Sequence, residues 1–359
     1  MIKVLFTTHQ TGFNVMGGAE IQMLKTMQSI NKLYADKVEV KFFDVWNDKL
    51  ENYDIIHIFN PMAFPCEALR IAEYAREKNI RVIISPIFYE YIKKENNVLS
   101  SIFERFMRFF SIFKRYIATK KRFEFLDNYK DVEKAFINAD LILPNTEIEK
   151  NRLLSKFPNI NADKYLTVPN ATDSKFKYGD PKCFNDNYGI DNFILFVGRV
   201  ETRKNVLGLI KAFVKSNLDT KLVIIGKIHE KEYYELCKEE ANENVVFLSP
   251  LNNDSEILRS AYKAAKVLAL PSYYETPGLA ALEAGLSGLN IVITRYGGTK
   301  EYFKDYVLYV DPENDENIKN ALISAYNTPK SDELSEYIEN NFTWNIIAKK
   351  MVEIYESFD

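Results

Sequence analysis

The sequence is poor in cysteine, with only three such residues among 359. Cys66, Cys183 and Cys237 lie far apart, which argues against both a disulfide framework and a Cys-x-x-Cys metal site. Long apolar runs are also missing. No stretch reaches the roughly 18 residues of a membrane span, and the apolar start of the chain is too short for a signal-peptide core. These absences predict a cytoplasmic chain that neither crosses a membrane nor is exported.

Three further features are missing from the sequence. Lys and Arg number 47 against 50 Asp and Glu, a formal net charge of −3, so no excess of positive charge indicates nucleic-acid binding. No Gly-x-Gly-x-x-Gly follows the first predicted strand, which argues against a Rossmann dehydrogenase. No Asp-x-Asp occurs, so an aspartate-bound Mg²⁺ has no motif to support it. We therefore expect no metal and no cofactor.

Short β-branched and aromatic runs alternate with longer amphipathic stretches, such as Ala19 to Asn31. This alternation is typical of βαβ units and predicts an α/β fold with parallel sheets. The chain length favours two domains over a single core. Strands are predicted at Ile2 to Thr7, Val38 to Phe43, Asp54 to Phe59, Arg81 to Ser85, Leu141 to Leu143 and Leu166 to Val168, and again from Phe193, Leu222, Val245, Val267, Ile291 and Val307.

A stretch rich in Gly, Pro, Asn and Asp, residues 171–192, interrupts this pattern. We interpret it as a hinge between an amino-terminal domain, 1–170, and a carboxy-terminal domain, 193–342. The last segment, 343–359, is helical by the spacing of its apolar residues.

The strongest local signal is the stretch PSYYETPGLAALEAGLSG, which begins at Pro271 and follows a buried-looking strand. Its residues predict a helix start, because Thr276 can cap and Pro277 suits the first helical position. Gly278 would let a ligand approach the backbone closely. The N–H groups of such a helix face the carboxyl end of the sheet, where they favour an anion.

Charged residues flank this predicted helix start. Glu275 precedes it, and Glu283 lies roughly 9 Å farther along the helix axis. Two carboxylates so separated could hold hydroxyls at the two ends of a sugar–diphosphate–ribose ligand. Upstream, Arg199 and Lys204 follow a strand and could stabilise negative charge on a departing diphosphate. The spacing alone is also consistent with a solvated surface pair of glutamates and with an ordinary charged loop.

Three motifs in the second half, GRVETRK, ETPGLAALEAG and GGTKE, resemble the retaining glycosyltransferases of family 4, which have the two-domain GT-B fold. The first half is similar more loosely, through GGAE, YDIIHIFN, ADLILPNT and VPNATD. The resemblance implies two Rossmann-like domains that face each other across a cleft. It also implies transfer of a sugar from a nucleoside-diphosphate donor to a saccharide or lipid-linked acceptor, as in polysaccharide synthesis, with retention at the anomeric carbon.

The resemblance further implies roles for single residues. Arg199 and Lys204 would bind the donor phosphates, and Glu275 would contact the transferred sugar, so these three would carry catalysis. Glu283 would hold the ribose hydroxyls, and Glu301 would help to organise the donor pocket. The other donor-binding residues come from a glycine loop that closes over the diphosphate and from the helix start: Gly17, Gly18, Thr276, Pro277, Gly278 and Leu279. An ordinary tight turn explains the glycine pair equally well. The segment 343–359 would return to the first domain.

Two departures from the family pattern leave alternatives open. The family commonly has a histidine after the fourth strand of the first domain, where this chain has Pro86 and Phe88. His9, in the loop that leads to Gly17, could face the cleft, and a structural or surface role is also compatible with it. The hinge has Ala171 where the family usually has a glycine. The alternative function is therefore a non-catalytic sugar-nucleotide-binding protein or a partner subunit.

The segment 93–122 is the one local basic region of the sequence. It contains nine Lys and Arg residues and only two acidic residues, Glu95 and Glu104. If the segment is helical, its apolar residues gather on one face. A core-packing helix with a solvated basic side is one interpretation. The other is an interfacial helix that docks on anionic lipid, which would place the protein peripherally on the inner face of the cell membrane.

Overall fold

A computed structural model describes residues 1–14, 17–88 and 128–358. The basic segment 93–122, with its predicted amphipathic helix, lies outside the described residues. The described chain folds into two α/β domains, each built on a parallel sheet. Among these described helices, none is long and apolar enough to span a membrane.

The first domain is built on a sheet whose described strands run in the order β2-β1-β3-β4-β5. Its elements are β1 (Ile2–Thr7), α1 (Gly18–Leu33), β2 (Val38–Phe42), β3 (Ile55–Phe59), α2 (Pro65–Glu77), β4 (Arg81–Ser85), α3 (Asn128–Asn138), β5 (Leu141–Ile142) and α4 (Glu147–Lys156). The strands are near-continuous apolar runs, and every residue of β3 is buried. Such runs are expected of parallel strands that are covered on both faces.

The second domain has described strands in the order β11-β10-β9-β6-β7-β8. Its elements are α5 (Pro181–Tyr188), β6 (Ile194–Val197), α6 (Val206–Ser216), β7 (Leu222–Ile225), α7 (Lys231–Glu240), β8 (Val245–Leu248), α8 (Glu256–Ala264), β9 (Val267–Leu270), α9 (Leu279–Leu286), β10 (Asn290–Thr294), α10 (Thr299–Phe303), β11 (Leu308–Val310), α11 (Asp315–Asn327), α12 (Glu333–Asn341) and α13 (Trp344–Glu356). The strand order reverses between β6 and β9, and open α/β sheets bind ligands at such a point.

The predicted strands are confirmed to within one residue at either end, with one exception. The strand predicted at Leu166 to Val168 is wrong: the structure has an isolated bridge just before it, between Tyr165 and Ile142, and Leu166 N and Val168 N donate single hydrogen bonds to Ile142 O at 3.0 Å and Pro144 O at 2.9 Å. Pro144 has no N–H to donate, so the parallel ladder does not continue beyond the short strand β5.

The stretch 171–192, which we interpret from the sequence as a hinge, is not irregular throughout. It contains α5, which Asp180 caps by accepting a hydrogen bond from Lys182 N and which Gly189 ends at φ +64°. Phe176 and Phe184 are buried in the apolar core of the second domain. Most of the stretch is therefore part of the second domain.

The helix α13 crosses back to the first domain. Its apolar residues Ile347 and Met351 join the core that β1 and β2 form with α1. Its hydroxyl-bearing Tyr355 shares a 2.9 Å hydrogen bond with Nδ1 of His57, a buried residue of β3 whose Nε2 contacts Ser85 Oγ at 2.9 Å. This histidine therefore has a structural role, joining α13 to the sheet.

We expect His57 to make the protein sensitive to acid. Burial lowers its pKa to about 3, against about 6.5 in an unfolded chain. Because the folded-state pKa is the lower one, the stability is present above about pH 6.5 and is lost as the pH falls towards 3, at up to about 1.4 kcal/mol per pH unit. Between pH 6.5 and 5, wild-type protein should lose about 1.7 kcal/mol more unfolding free energy than His57→Gln, measured by urea unfolding.

The matched control for this measurement is His229→Gln, since His229 is exposed. Its pH dependence should equal that of the wild type. If His57→Gln also followed the wild-type curve, His57 would have to accept a proton within the folded protein, which contradicts its burial.

Candidate active site

The predicted charged residues meet where β6 and β9 separate. These neighbouring strands pair only over their first residues, Ile194 with Val267 and Leu195 with Leu268. The strand β6 continues for two more residues while paired with β7 alone. A crevice therefore opens at the carboxyl ends of β6 and β9, and the loops that follow these two strands line it.

A buried asparagine joins the loop after β6 to two neighbouring loops by hydrogen bonds. Asn205 has φ +53° and donates from Nδ2 to Pro271 O at 3.2 Å and to Pro312 O at 2.8 Å. It thus joins the loops that follow β6, β9 and β11. Because this connection fixes the end of the Thr202–Lys204 turn, the side chain of Lys204 is held over the crevice.

Lys204 and Glu275 form an ion pair in which the carboxylate is buried and the lysine side chain is 15% exposed. Glu275 Oε1 accepts hydrogen bonds from Lys204 Nζ at 2.5 Å and from Ser272 Oγ at 2.6 Å. Burial opposes ionisation of Glu275, but the cations of Lys204 and Arg203 outweigh it and hold the pKa of the carboxyl below its usual range. Burial lowers the pKa of the Lys204 ammonium. We assign both groups as charged, because a neutral amine would leave the buried carboxylate without its counter-charge.

The helix after β9 begins two residues later than predicted. The structure places the first helical residue at Leu279 and the N-cap at Gly278, whose φ of +84° lies in the region that favours glycine. Pro277 therefore precedes the helix, and Thr276 does not cap it. The first hydrogen bond of the helix runs from Ala281 N to Gly278 O at 2.9 Å. The preceding N–H groups face the crevice end of α9, as in anion sites at helix N-termini.

Glu283 lies on α9 with both carboxylate oxygens engaged. Oε1 accepts from Asn253 Nδ2 at 2.8 Å, and Oε2 accepts from the Tyr262 hydroxyl at 2.5 Å. Burial raises the pKa of Glu283. The two hydrogen bonds have the opposite effect, because they favour the ionised carboxylate, but burial outweighs them. An ionised carboxylate has about four acceptor positions, so Glu283 keeps the capacity to accept from a ligand hydroxyl.

The glycine pair of the first domain lies against the second domain. A Cβ atom on Gly17 would lie 2.8 Å from Arg199 Nη2, and one on Gly18 would lie 3.7 Å from Leu279 Cδ1. The beginnings of α1 and α9 therefore approach each other across the cleft, with the Arg199 guanidinium beside them. Two helix N-termini and a fixed cation at one place form a strong site for an anion.

His9 lies next to this glycine loop. Its Nε2 contacts Glu20 Oε1 at 3.1 Å, and the other oxygen of Glu20 accepts from Gly17 N at 2.7 Å. His9 is thus connected to the backbone that faces Arg199. The side chain of Glu301, by contrast, lies on the first domain, where it accepts hydrogen bonds from Glu147 N at 2.7 Å and Ile148 N at 2.9 Å.

Residues 184–343 match the family model of the glycosyl transferases group 1. An uncharacterised glycosyltransferase from Methanocaldococcus jannaschii is 30% identical over 258 residues, which cover 65% of this chain and 62% of that protein. From Campylobacter jejuni, N-acetylgalactosamine-N,N'-diacetylbacillosaminyl-diphospho-undecaprenol 4-alpha-N-acetylgalactosaminyltransferase is 30% identical over 208 residues, 56% of this chain and 55% of its own length. The chain thus spans less than two thirds of these curated relatives.

The solved structures extend the similarity to the whole fold. HepE of Anabaena, in complex with UDP and glucose, superposes with a TM-score of 0.74 at 15% identity, over 99% of this chain and 100% of that one. The expected fold, GT-B with two Rossmann-like domains, is confirmed by this likeness.

Within residues 184–343, the sequence did not predict several residues of the site. Ser272 and Asn205 hold the Glu275 and Lys204 loops, while Asn253 and Tyr262 orient Glu283. The two partners of Glu283 come from a loop and a helix that are distant in sequence, so no local spacing reveals them. Of these four residues, Asn205 is the one that the sequence could have suggested, because asparagine adopts the left-handed backbone conformation more readily than most residues.

The position after β4, where the resemblance to family 4 leads one to expect a histidine, is occupied by core residues. Phe88 is buried in the apolar core of the first domain, and its N–H donates to Glu149 Oε1 at 2.6 Å. The side chain of Phe88 packs in this core and so does not replace a histidine in the cleft. Among the described residues, His9 is the histidine nearest in sequence to the glycine loop.

Proposed function

We propose that the protein is a glycosyltransferase that moves a sugar from a nucleoside-diphosphate donor to a saccharide or lipid-linked acceptor. The observation that carries this proposal is the meeting of Arg199, the Lys204–Glu275 pair and the start of α9 at the point where the strand order of the second sheet reverses. Fixed cations and helix N–H groups at such a point suit a diphosphate. The match of residues 184–343 to the glycosyl transferases group 1 supports the same reaction class.

In this proposal, Arg199 and Lys204 bind the donor phosphates and stabilise the charge that develops as the diphosphate leaves. Glu283 accepts from the ribose hydroxyls through its unused acceptor positions. Glu275 holds the sugar to be transferred, with Oε1 already engaged by Lys204 and Ser272. One buried ion pair would therefore connect the leaving group to the sugar.

We further propose transfer with retention at the anomeric carbon. The departing phosphate oxygen would accept the proton of the acceptor hydroxyl on the face that it leaves, so no separate protein base is required. The phosphate charge would be met by Arg199, Lys204 and the start of α9. An aspartate-bound metal has no motif in the sequence, so we propose that the reaction needs none.

A panel of nucleoside diphosphates and their sugars tests the function. UDP-sugars come first, because the similar HepE structure contains UDP and glucose. The matching donor should raise the unfolding temperature, with about 2.7 kcal/mol of stabilisation at a hundredfold excess over Kd. It should also release nucleoside diphosphate when an acceptor is added. Binding without release would favour the non-catalytic alternative, and no binding to any donor would contradict both.

We also propose a lipid-linked acceptor, reached from an anionic membrane surface through the basic segment 93–122. Two observations support this proposal: the positive charge of the segment, and the name of the Campylobacter relative, which includes a diphospho-undecaprenol. Each basic residue near an anionic surface contributes about 1 kcal/mol. Such attraction would hold the protein at the membrane without a spanning helix.

Vesicle co-sedimentation tests the membrane proposal. Wild-type protein should pellet with anionic vesicles and not with neutral ones, and salt should weaken binding. Changing Arg105, Arg108, Lys114 and Arg115 to Glu should abolish it. The matched control changes four exposed lysines of the second domain, Lys215, Lys221, Lys227 and Lys238, to Glu and should bind as the wild type does. Wild-type protein that stays in the supernatant at low salt would make a soluble acceptor the better proposal.

A further inference from the structure

The loop that carries Glu275 is joined through its backbone to the segment after β10. Glu275 forms a parallel bridge with Gly297, and its carbonyl oxygen accepts from Gly298 N at 3.0 Å. A Cβ atom on Gly297 would lie 2.0 Å from Glu275 O, so a side chain has no room here. The backbones of the two segments are therefore in direct contact and joined by hydrogen bonding.

The helix α10 begins directly after this joint and reaches the first domain. Glu301 Oε2 accepts from Glu147 N at 2.7 Å, and Oε1 accepts from Ile148 N at 2.9 Å. These are the first two N–H groups of α4, which no intrahelical carbonyl can satisfy. Within the first domain, the N-cap residue Thr146 accepts a third hydrogen bond at Oγ1, from Glu149 N at 3.0 Å. The N-terminus of α4 is thus capped from both domains.

The contacts around this cap are close and largely buried. The Tyr302 hydroxyl donates to Asn145 O at 2.9 Å and accepts from Asn170 N at 2.6 Å. A Cβ atom on Gly298 would lie 2.4 Å from Thr146 Cγ2. There is therefore no room for even a methyl group where the start of α10 meets the start of α4.

A carboxylate suits this position for an electrostatic reason. The start of a helix carries a partial positive charge, and a charged acceptor makes a stronger hydrogen bond than a neutral one. The neighbouring Glu149 has its pKa raised to about 7, first by burial and in small part by the charge of Glu301. The structure keeps Glu301 beside this second acid, so the contact with α4 is favourable enough to offset that repulsion.

We propose that Glu301 is a positioning residue, which caps α4 across the domain boundary and sets the angle at which the first domain meets the Glu275 loop. The effect on sugar transfer rests on the proposed function, whereas the cap itself does not. The charged donor-binding residues Arg199, Lys204 and Glu283 belong to the second domain, and the first domain adds the glycine loop at Gly17 and Gly18. Loss of the cap should therefore weaken nucleoside-diphosphate binding much less than it impairs the transfer step, which needs both domains.

Hydrogen exchange of the unliganded full chain tests the cap itself. In Glu301→Ala, the amides of residues 147 and 148 should exchange at least about tenfold faster, with a larger radius of gyration in small-angle scattering. Glu301→Gln keeps one acceptor oxygen and should fall between the alanine variant and the wild type. The matched control is Glu316→Ala, an exposed helix glutamate of the same domain, which should change neither quantity. Unchanged exchange in Glu301→Ala would overturn the proposal.

Kinetics then test the consequence for the reaction. Glu301→Ala should lower kcat by about 10-fold to 100-fold, because small misplacements of reacting groups are costly, while the Kd for UDP stays within about twofold by calorimetry. Equal losses in kcat and UDP affinity, or a normal kcat, would overturn the positioning role. If wild-type protein transfers no sugar from any donor, the proposed function fails, whereas the exchange and scattering results still decide whether Glu301 caps α4.

Discussion

Alanine at Arg199 or at Lys204 is expected to lower turnover by about 10²-fold or more, because each residue supplies preorganised charge to the departing diphosphate. The two variants differ in their effect on stability. Lys204 is the counter-charge of the buried Glu275 carboxylate, and removal of one partner from a buried ion pair typically destabilises by about 3–5 kcal/mol. Arg199 has no part in this pair, so Arg199→Ala is the cleaner test of catalysis.

Turnover should be measured below the unfolding temperature of each variant, with circular dichroism as the check on folding. Lys211→Ala is the matched control, since this lysine lies on α6 of the same domain and pairs only on the surface with Glu240. It should keep normal turnover. Near-normal rates for both Arg199→Ala and Lys204→Ala would remove the cationic site from the mechanism.

The largest loss of stability is expected at Glu149, which is fully buried in α4. Its two oxygens accept from Phe88 N at 2.6 Å and Asn145 N at 2.7 Å. Glu149→Ala leaves both N–H groups buried without a partner, at about 1–3 kcal/mol each, so the unfolding free energy should fall by about 2–6 kcal/mol.

Urea unfolding at pH 8 measures this loss, above the pKa of about 7 to which burial raises the Glu149 carboxyl. Glu149→Gln retains one acceptor oxygen and should lose less than the alanine variant. Glu77→Ala, at an exposed position of α2, is the control and should stay within about 0.5 kcal/mol of the wild type. A stable Glu149→Ala protein would mean that water or a shifted loop satisfies the two N–H groups.

The sequence predicts the sheets well because buried parallel strands are continuous apolar runs, and β9, with the sequence Val-Leu-Ala-Leu, is an example. The start of α9 is predicted less well. Thr276 and Pro277 have the residue types of a helix start, yet the backbone turns at Gly278 and the helix begins after it. The residue types allow a helix that is capped by Thr276 as well as one that is capped by Gly278. The packing around Glu275 decides between these two starts.

Contacts between distant segments are the part of the site that spacing does not reveal. Glu301 was expected near the donor through its place in the GGTKE motif, and its partners lie more than 150 residues earlier, on α4. The helix α5 is a different case, because Asp180, Pro181 and Gly189 are ordinary start and stop signals. They were hidden within a stretch that is otherwise rich in turn residues.

The return of α13 to the first domain has a consequence for how the chain folds during synthesis. The strands β1 to β5 leave the ribosome first, but the core around Val4 and Val40 is completed only by residues such as Ile347 and Met351. At roughly 5–20 residues per second, α13 follows the end of β5 by about 10 to 40 s. During that interval the second domain can complete its own core, while the first keeps an apolar face exposed. The domain that is made first is therefore the one that finishes folding last.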